Sequence, residues 1–239
     1  MNAPVWLTAR FSKSHAIKLR YGSAGMVRGA ASCTALEHGG KGRMFIVSVN
    51  TAPVGNLFGA QAEAGRHVAT GIHKQARSGP VVVGRLGLDG DAQADRRLHG
   101  GPGKAVYAYP VEHYAFWEAQ RRQAGKAEAA LAYGALGENL TIQGLLEQDV
   151  WLGDRLSLGR LLLEVSEVRT PCFKLNVKMG LSNAARLMDQ SGATGFYLRV
   201  LQPGLVNAGE TARLLPGPRQ LSIAQINERR RTGRQPDLF

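Results

Sequence analysis

Leu156-Ser157-Leu158-Gly159-Arg160-Leu161-Leu162-Leu163-Glu164-Val165 reads as two short strands joined by a tight turn. Gly159-Arg160 is the kind of two-residue connection that hairpins favour, and the apolar arms on either side are too short for helices. In the second arm Leu161, Leu163 and Val165 fall on one face, the period of two that a half-buried strand requires. The same grammar recurs outward from this hairpin. From Met44 onward Phe45, Val47 and Val49 alternate with Ile46 and Ser48; Val81 to Leu88 reads as one strand ending at the Asp89-Gly90 turn; Phe196 to Leu201 is another, closed by Pro203-Gly204. Helical signals are fewer. Pro110 opens a segment through Gln123 with Val111, Tyr114 and Trp117 on one side, and Ser182 caps a short helix that turns Ala184, Leu187 and Met188 inward and stops at Ser191-Gly192. The fold class that follows is mainly β: a β-barrel with helical insertions.

A chain of 239 residues, 44% hydrophobic and 20% charged, is of ordinary globular composition and long enough for one large domain or two small ones. No run of 18 apolar residues occurs, so no membrane partner is expected. The N-terminus lacks the apolar core of a secretory signal, and the two cysteines, Cys33 and Cys172, are far apart; a reducing, cytoplasmic location is the expectation. Two cysteines cannot supply the usual four thiolates of an iron–sulfur cluster. Electrons for any redox work must therefore come from another protein or from a bound cofactor.

The net charge of +12 is unevenly spread. Residues 1–43 carry Arg10, Lys13, Lys18, Arg20, Arg28, Lys41 and Arg43 against Glu37 alone, and the segment 217–239 carries Arg219, Arg229, Arg230, Arg231 and Arg234 against Glu228 and Asp237. The middle is close to balanced. Residues 1–43, rich in Ser, Ala, Gly and basic residues without a sustained period, read as an extension outside the fold: a disordered arm, a targeting peptide, or sequence upstream of a start at Met44. The body is expected over 44–216, followed by a basic tail in 217–239 where only Leu221 to Asn227 has helical character. No zinc-finger, RNP or basic-zipper pattern accompanies the charge, so solvated ends are preferred over a nucleic-acid partner.

Three stretches carry candidate chemistry. In Arg169-Thr170-Pro171-Cys172-Phe173-Lys174-Leu175 a proline-fixed thiol is flanked by two cations, which favour the thiolate that attacks or binds soft metals; a packed structural cysteine is the competing reading. The polar stretch from Gly90 to Lys104 admits three readings. Asp91, Asp95 and His99 recur every four residues, as helical metal ligands would, although Gly100 and Pro102 break a helix there. Arg97, Lys104 and the glycines Gly100 and Gly101 have the make-up of an anion cradle. A charged turn is the third. In Gly137-Glu138-Asn139-Leu140, a Glu and an Asn after a glycine orient a ligand or satisfy a turn. Arg199 lies in an otherwise apolar strand, exposed by default and in need of an anionic partner if inward. A His99–Cys172 acyl-transfer pair requires hydrogen-bond reach between the two side chains.

The order of these pieces resembles the MOSC domain, the module related to the C-terminal part of molybdenum-cofactor sulfurases. Gly90-Asp91, Asp95 and His99-Gly100-Gly101-Pro102 come first, then Tyr109-Pro110, His113-Tyr114 and Trp117. Gly137-Glu138-Asn139-Leu140, Gly153-Asp154, Arg169 to Leu175 and Gly195 to Val200 follow. The pattern is similar to the stand-alone bacterial branch typified by YiiM and spans about residues 44–215. The resemblance implies a closed, predominantly β barrel like that of pyruvate kinase and binding of the molybdenum cofactor, with Cys172 as the thiolate ligand of the metal. It further implies a two-electron oxygen-atom transfer that reduces N-hydroxylated compounds such as hydroxylamino-purines, fed by a separate flavin or iron–sulfur reductase. On that footing Arg97, His99, Gly100, Gly101, Lys104, Glu138, Asn139, Arg169, Lys174 and Arg199 are the expected cofactor contacts. A non-catalytic carrier of sulfur or cofactor is the alternative. No specific lysine supports the pyridoxal phosphate also associated with the family, and that cofactor is not expected. Relatives often continue into a helical C-terminal extension, for which this sequence has little room.

Overall fold

Seven strands close into a barrel in the computed structural model, which describes residues 43–60, 62–63, 65–95, 100–126 and 130–233. The elements run β1 (Arg43–Thr51), β2 (Gly55–Asn56), β3 (Ala69–Thr70), β4 (Gln75–Ala76), β5 (Val81–Gly84), β6 (Gly87–Leu88) and β7 (Val106–Pro110). Helix α1 (Tyr114–Gln123) precedes β8 (Leu140–Gln143), β9 (Arg155–Leu158) and β10 (Leu161–Val168). Helices α2 (Phe173–Met179) and α3 (Ala184–Ser191) lead to β11 (Phe196–Gln202), β12 (Gly204–Val206), β13 (Thr211–Leu215) and helix α4 (Ile223–Thr232). The barrel order is β13-β9-β10-β11-β7-β8-β1, and β1 returns to β13 to close it. Every pairing is antiparallel except β7 with β8. Closure removes the unpaired edges that an open sheet leaves.

The 156–165 hairpin forms as its sequence requires. Leu158 faces Leu161 across Gly159-Arg160, and Leu161, Leu163 and Val165 all enter the barrel core. Glu164, on the opposite face, is nevertheless buried, because Arg155 and Arg199 on the flanking strands close over it. β1 also forms from Met44 onward, but its alternation is interrupted. A bulge between Ile46 and Ser48 shifts the register, so that Met44 and Ile46 and then Val49 point inward. One expected strand divides: Val81 to Leu88 is the hairpin β5–β6, turned at Arg85-Leu86. Gly87 has φ +131, and a Cβ there would lie 2.8 Å from the Ala105 carbonyl oxygen, so only glycine passes under that backbone.

A second core lies among the helices. Tyr114 and Trp117 of α1, Leu175 and Met179 of α2, and Ala184 and Met188 of α3 pack with Tyr107, Tyr109 and Leu136. The expected helices at Pro110 and Ser182 are present with shifted starts. A 3-10 turn, Val111–His113, precedes α1, and Asn183 rather than Ser182 occupies the cap position of α3. The segment after Gly217, read from its charge as a solvated tail, docks as far as Gly233. Ser222 and Gln225 form a reciprocal capping box at the start of α4, Ile223 enters the barrel core, and the Asn227 amide donates to Thr194 Oγ1 and Gly192 O. Arg230 and Arg231 bond Asp189 and Glu228, so part of the basic run serves the fold. No described helix is long and apolar enough to cross a membrane. Residues 1–42, with Cys33, lie outside the described residues.

Two outcomes test this architecture. Leu163 is 0% exposed, and Leu163→Ala should cost about 2–5 kcal/mol of unfolding free energy, read as a lowered urea midpoint. Burial alone would raise the Glu164 pKa, but the hydrogen bonds and charges of Arg199 and Arg155 outweigh it and hold the carboxyl below its usual range. The unfolded chain therefore binds the proton more tightly, and the stabilisation is present above the unfolded value of about 4.3 and lost as pH falls through the folded value. Urea titrations across that acid range should show a shallower pH dependence for Glu164→Gln than for the unsubstituted chain.

Candidate functional site

At the end of β10 the chain leaves the barrel through Arg169, Thr170 and Pro171 and delivers Cys172 to the start of α2. The Leu175 N–H donates to the Cys172 carbonyl at 3.0 Å and opens the helix, and Leu175 and Met179 anchor it in the second core. Arg169 fixes the exit. Its guanidinium donates to Tyr107 Oη at 2.6 Å and to the Leu136 carbonyl at 2.7 Å, and lies 4.5 Å from the centre of the Tyr107 ring. Cys172 is half-buried and lines a cavity together with Arg169, Thr170 and Lys174. The opposite walls come from Thr70, Gly71, Ile72 and Lys74, from Asp91 to Asp95, and from Lys104, Tyr107, Gly137, Asn139 and Tyr197. The cavity measures about 110 Å³, smaller than a typical cofactor pocket, and has an open mouth, so a larger ligand would extend beyond it.

Four cations stand on these walls, and each has a structural contact. Lys74, its side chain 8% exposed, pairs with Asp91; Lys104 pairs with Glu167 at 3.3 Å; Lys174 Nζ donates to the Ala69 carbonyl at 2.9 Å; Arg169 is held as above. Asp91 is itself fixed, accepting from the Ala52 N–H at 2.9 Å and from Asn139 Nδ2 at 2.9 Å. Burial lowers the Lys74 pKa, and the charge and hydrogen bond of Asp91 oppose that shift without cancelling it. Burial would likewise lower Arg169, but the adjacent Tyr107 and Tyr197 phenols and Cys172 outweigh it and the net shift is upward. Burial raises both Tyr107 and Tyr197, against the opposing influence of Arg169.

Of the residues singled out by sequence, Cys172, Arg169, Lys174, Lys104 and Asn139 meet at this cavity. Arg97 and His99 lie outside the described residues, and with them the His99–Cys172 pair and the helical triad, although Asp91 to Asp95 is irregular rather than helical. Gly100 and Gly101 do not line the cavity. The Gly101 N–H donates to Gln93 Oε1 at 2.8 Å, which leaves it unavailable to an anion, and the loop contributes Gln93, Ala94, Asp95 and Lys104 instead. Glu138 does not reach the cavity either. Its fully buried carboxylate accepts from Tyr114 Oη, the Gly134 and Leu136 N–H groups and Thr141 Oγ1, and so organises the turn that presents Asn139. Gly137, with φ +85, brings that turn so close to Ile72 that a Cβ would lie 2.8 Å from its side chain. Arg199 is on the outer face of β11, 55% exposed, where strand alternation puts it between the buried Leu198 and Val200; its anionic partner is Glu164.

Lys74, Thr70, Tyr107 and Tyr197 are site residues that sequence reasoning missed. Lys74 sits in an irregular glycine-containing stretch with no motif around it, and only the fold sets it against Asp91. The tyrosines alternate within apolar strands and read as core. Among the described residues no three His, Cys, Asp or Glu side chains converge on a metal position. Among the described residues, a metal seated at Cys172 would thus draw one soft sulfur from the protein. The cationic walls suit a carrier with an anionic group.

The comparisons agree with this architecture. The MOSC domain model matches residues 95–213. YflK of Bacillus subtilis is 41% identical over 164 residues, which cover 68% of this chain and 72% of YflK. The crystal structure of YiiM from Geobacillus stearothermophilus superposes with a TM-score of 0.61 at 37% identity, covering 78% of this chain and 83% of that one. A Gibberella moniliformis protein named reductase is 38% identical over 156 residues, 64% of this chain but 27% of that protein, so the likeness reaches only one portion of it. The chain belongs to the MOSC domain family, in the branch that contains YiiM.

The turn carboxylate offers the sharpest test of the site's scaffold. Glu138→Gln turns an amide toward at least one of four donors, and the stranded donor should cost about 1–3 kcal/mol in a urea titration. Glu138→Leu should cost more, since it strands all four.

Proposed function

We propose that this protein binds the molybdenum cofactor and reduces N-hydroxylated compounds to amines, with electrons from a separate flavin or iron–sulfur reductase. The observation that carries the reading is the half-buried Cys172 thiol in a cavity walled by Lys74, Lys104, Arg169 and Lys174. MOSC membership and the reductase name of the fungal relative support it. Bound there, the cofactor supplies a metal that exchanges two electrons and accepts oxygen. The chain's own residues do the rest. Cys172 holds the metal end through sulfur. Lys104 and Lys174, at the cavity wall, meet anionic groups of the carrier, and Arg169 holds the strand end that presents the thiol. Asn139, tied to Asp91 and to the Tyr107 N–H, keeps the opposite wall in place. The N–OH substrate enters by the open mouth.

The test is metal content. The full chain purified from a host that makes the cofactor should carry molybdenum, and Cys172→Ala should lower it by about tenfold or more. Equal metal in both, or none in either, overturns the reading. A full metal load with persistent failure to reduce a hydroxylamino-purine in the presence of a reductase identifies a carrier instead.

A further inference from the structure

Reduction of a hydroxylamine consumes protons as well as electrons. R–NHOH, two electrons and two protons give R–NH2 and water: the N–O bond breaks as the oxygen passes to the cofactor, the nitrogen keeps an electron pair and must take up a proton, and the oxygen takes the second proton on its release as water. We propose, on the footing of the function argued above, that Lys74 is the catalytic residue that supplies the proton to that nitrogen as the N–O bond breaks, and that Asp91 is its positioning residue.

The cavity offers few other donors of suitable chemistry. Arg169 does not release its proton in a protein, and its guanidinium is spent on Tyr107 and Leu136. The Tyr107 hydroxyl proton is committed to the Thr194 carbonyl at 2.7 Å, and burial makes Tyr107 and Tyr197 weaker acids than free phenols. Lys104 is more exposed than Lys74 and pairs with Glu167, and Lys174 Nζ points to the Ala69 carbonyl. Lys74 differs from these. It lines the same cavity as Cys172 and is almost fully buried, and its carboxylate partner is immobilised from two sides by the Ala52 N–H and Asn139 Nδ2. An ammonium carries three N–H donors and the Asp91 contact uses one. That arrangement fixes the lysine's position and leaves donors to turn toward a substrate.

The charged environment fits the role. Asp91 on the polar loop and Glu138 on the turn before β8 raise the Lys74 pKa, while burial lowers it further than they restore. Across the cavity stand Arg169, Lys104, Lys174 and Asp95, with Cys172 and the two phenols. A lysine held below its usual range yields its proton more readily near neutrality, which is what general-acid catalysis requires. The second proton, for the oxygen, and the one that recharges Lys74 come from water at the open mouth.

The experiment uses the full chain loaded in a cofactor-making host, with a reductase and a hydroxylamino-purine as probe. Lys74→Arg preserves the charge opposite Asp91 but not the transferable proton. It should keep its molybdenum and its KM within about threefold while kcat falls by about 100-fold or more. In the unloaded chain, reductive 13C-methylation should show Lys74 titrating below the surface lysines, and lower still in Asp91→Asn. A Lys74→Arg variant that retains kcat, one that loses its molybdenum in step with its rate, or a Lys74 that titrates with the surface lysines overturns the proposal. A loaded wild type that reduces nothing removes the functional reading and this one together. An active wild type with an unaffected Lys74→Arg removes this one alone.

Discussion

Glu138 has no contact with solvent, and four donors from three parts of the chain converge on its carboxylate. A buried carboxylate is tolerable only when its lone pairs are answered in this way. Satisfying it fixes the path of the 134–138 turn, which aims the Leu136 carbonyl at Arg169 and places Asn139 between β1 and β7. Arg169 in turn sets the exit from β10 that carries Cys172. The thiol's position is thus set by a carboxylate that does not line the cavity.

A second buried acid plays a matching part on the far wall. Asp91 receives the Ala52 N–H, Asn139 and Lys74, and so ties the loop after β6 to the end of β1 and the start of β8. The two acids are linked through adjacent residues, Glu138 and Asn139. Both oxygens of each acid accept hydrogen bonds, and a satisfied network of that kind rigidifies a site. Arg199 and Glu164 make a separate pair on the outer barrel face, closed by Arg155, and serve the sheet.

How much of this was legible varies with the range of the interaction. The 156–165 hairpin and the faces of α1 and α3 follow from spacing alone, and the structure keeps them. Of the residues picked out by the order of motifs, Cys172, Arg169, Lys174, Lys104 and Asn139 line one cavity. Helix α2 escaped because it has seven residues and two buried anchors, too few to establish a period. The turn at Arg85-Leu86 escaped because the approach of Ala105 that demands Gly87 comes from elsewhere in the chain. Glu138 drew notice as part of a ligand-like motif. Its actual work depends on Tyr114, 24 positions away, which no local pattern reveals. Lys74 is the extreme case, since its partner lies 17 residues on across irregular chain. For Arg199, alternation along β11 already indicated the outer face, where it pairs with Glu164.

The one parallel pairing in the barrel, β7 beside β8, has a consequence for how such a site can change. Parallel neighbours cannot be joined by a tight turn, so a long connection separates β7 from β8. That connection carries α1, the Glu138 turn and Asn139, and ends at the cavity rim. Lineages that lengthen or shorten it can remodel what the mouth admits while every barrel pairing stays in register. The same alteration at Gly159-Arg160 would be silent for the ligand. The shape of the cavity mouth and barrel stability are therefore free to evolve on separate stretches of the chain.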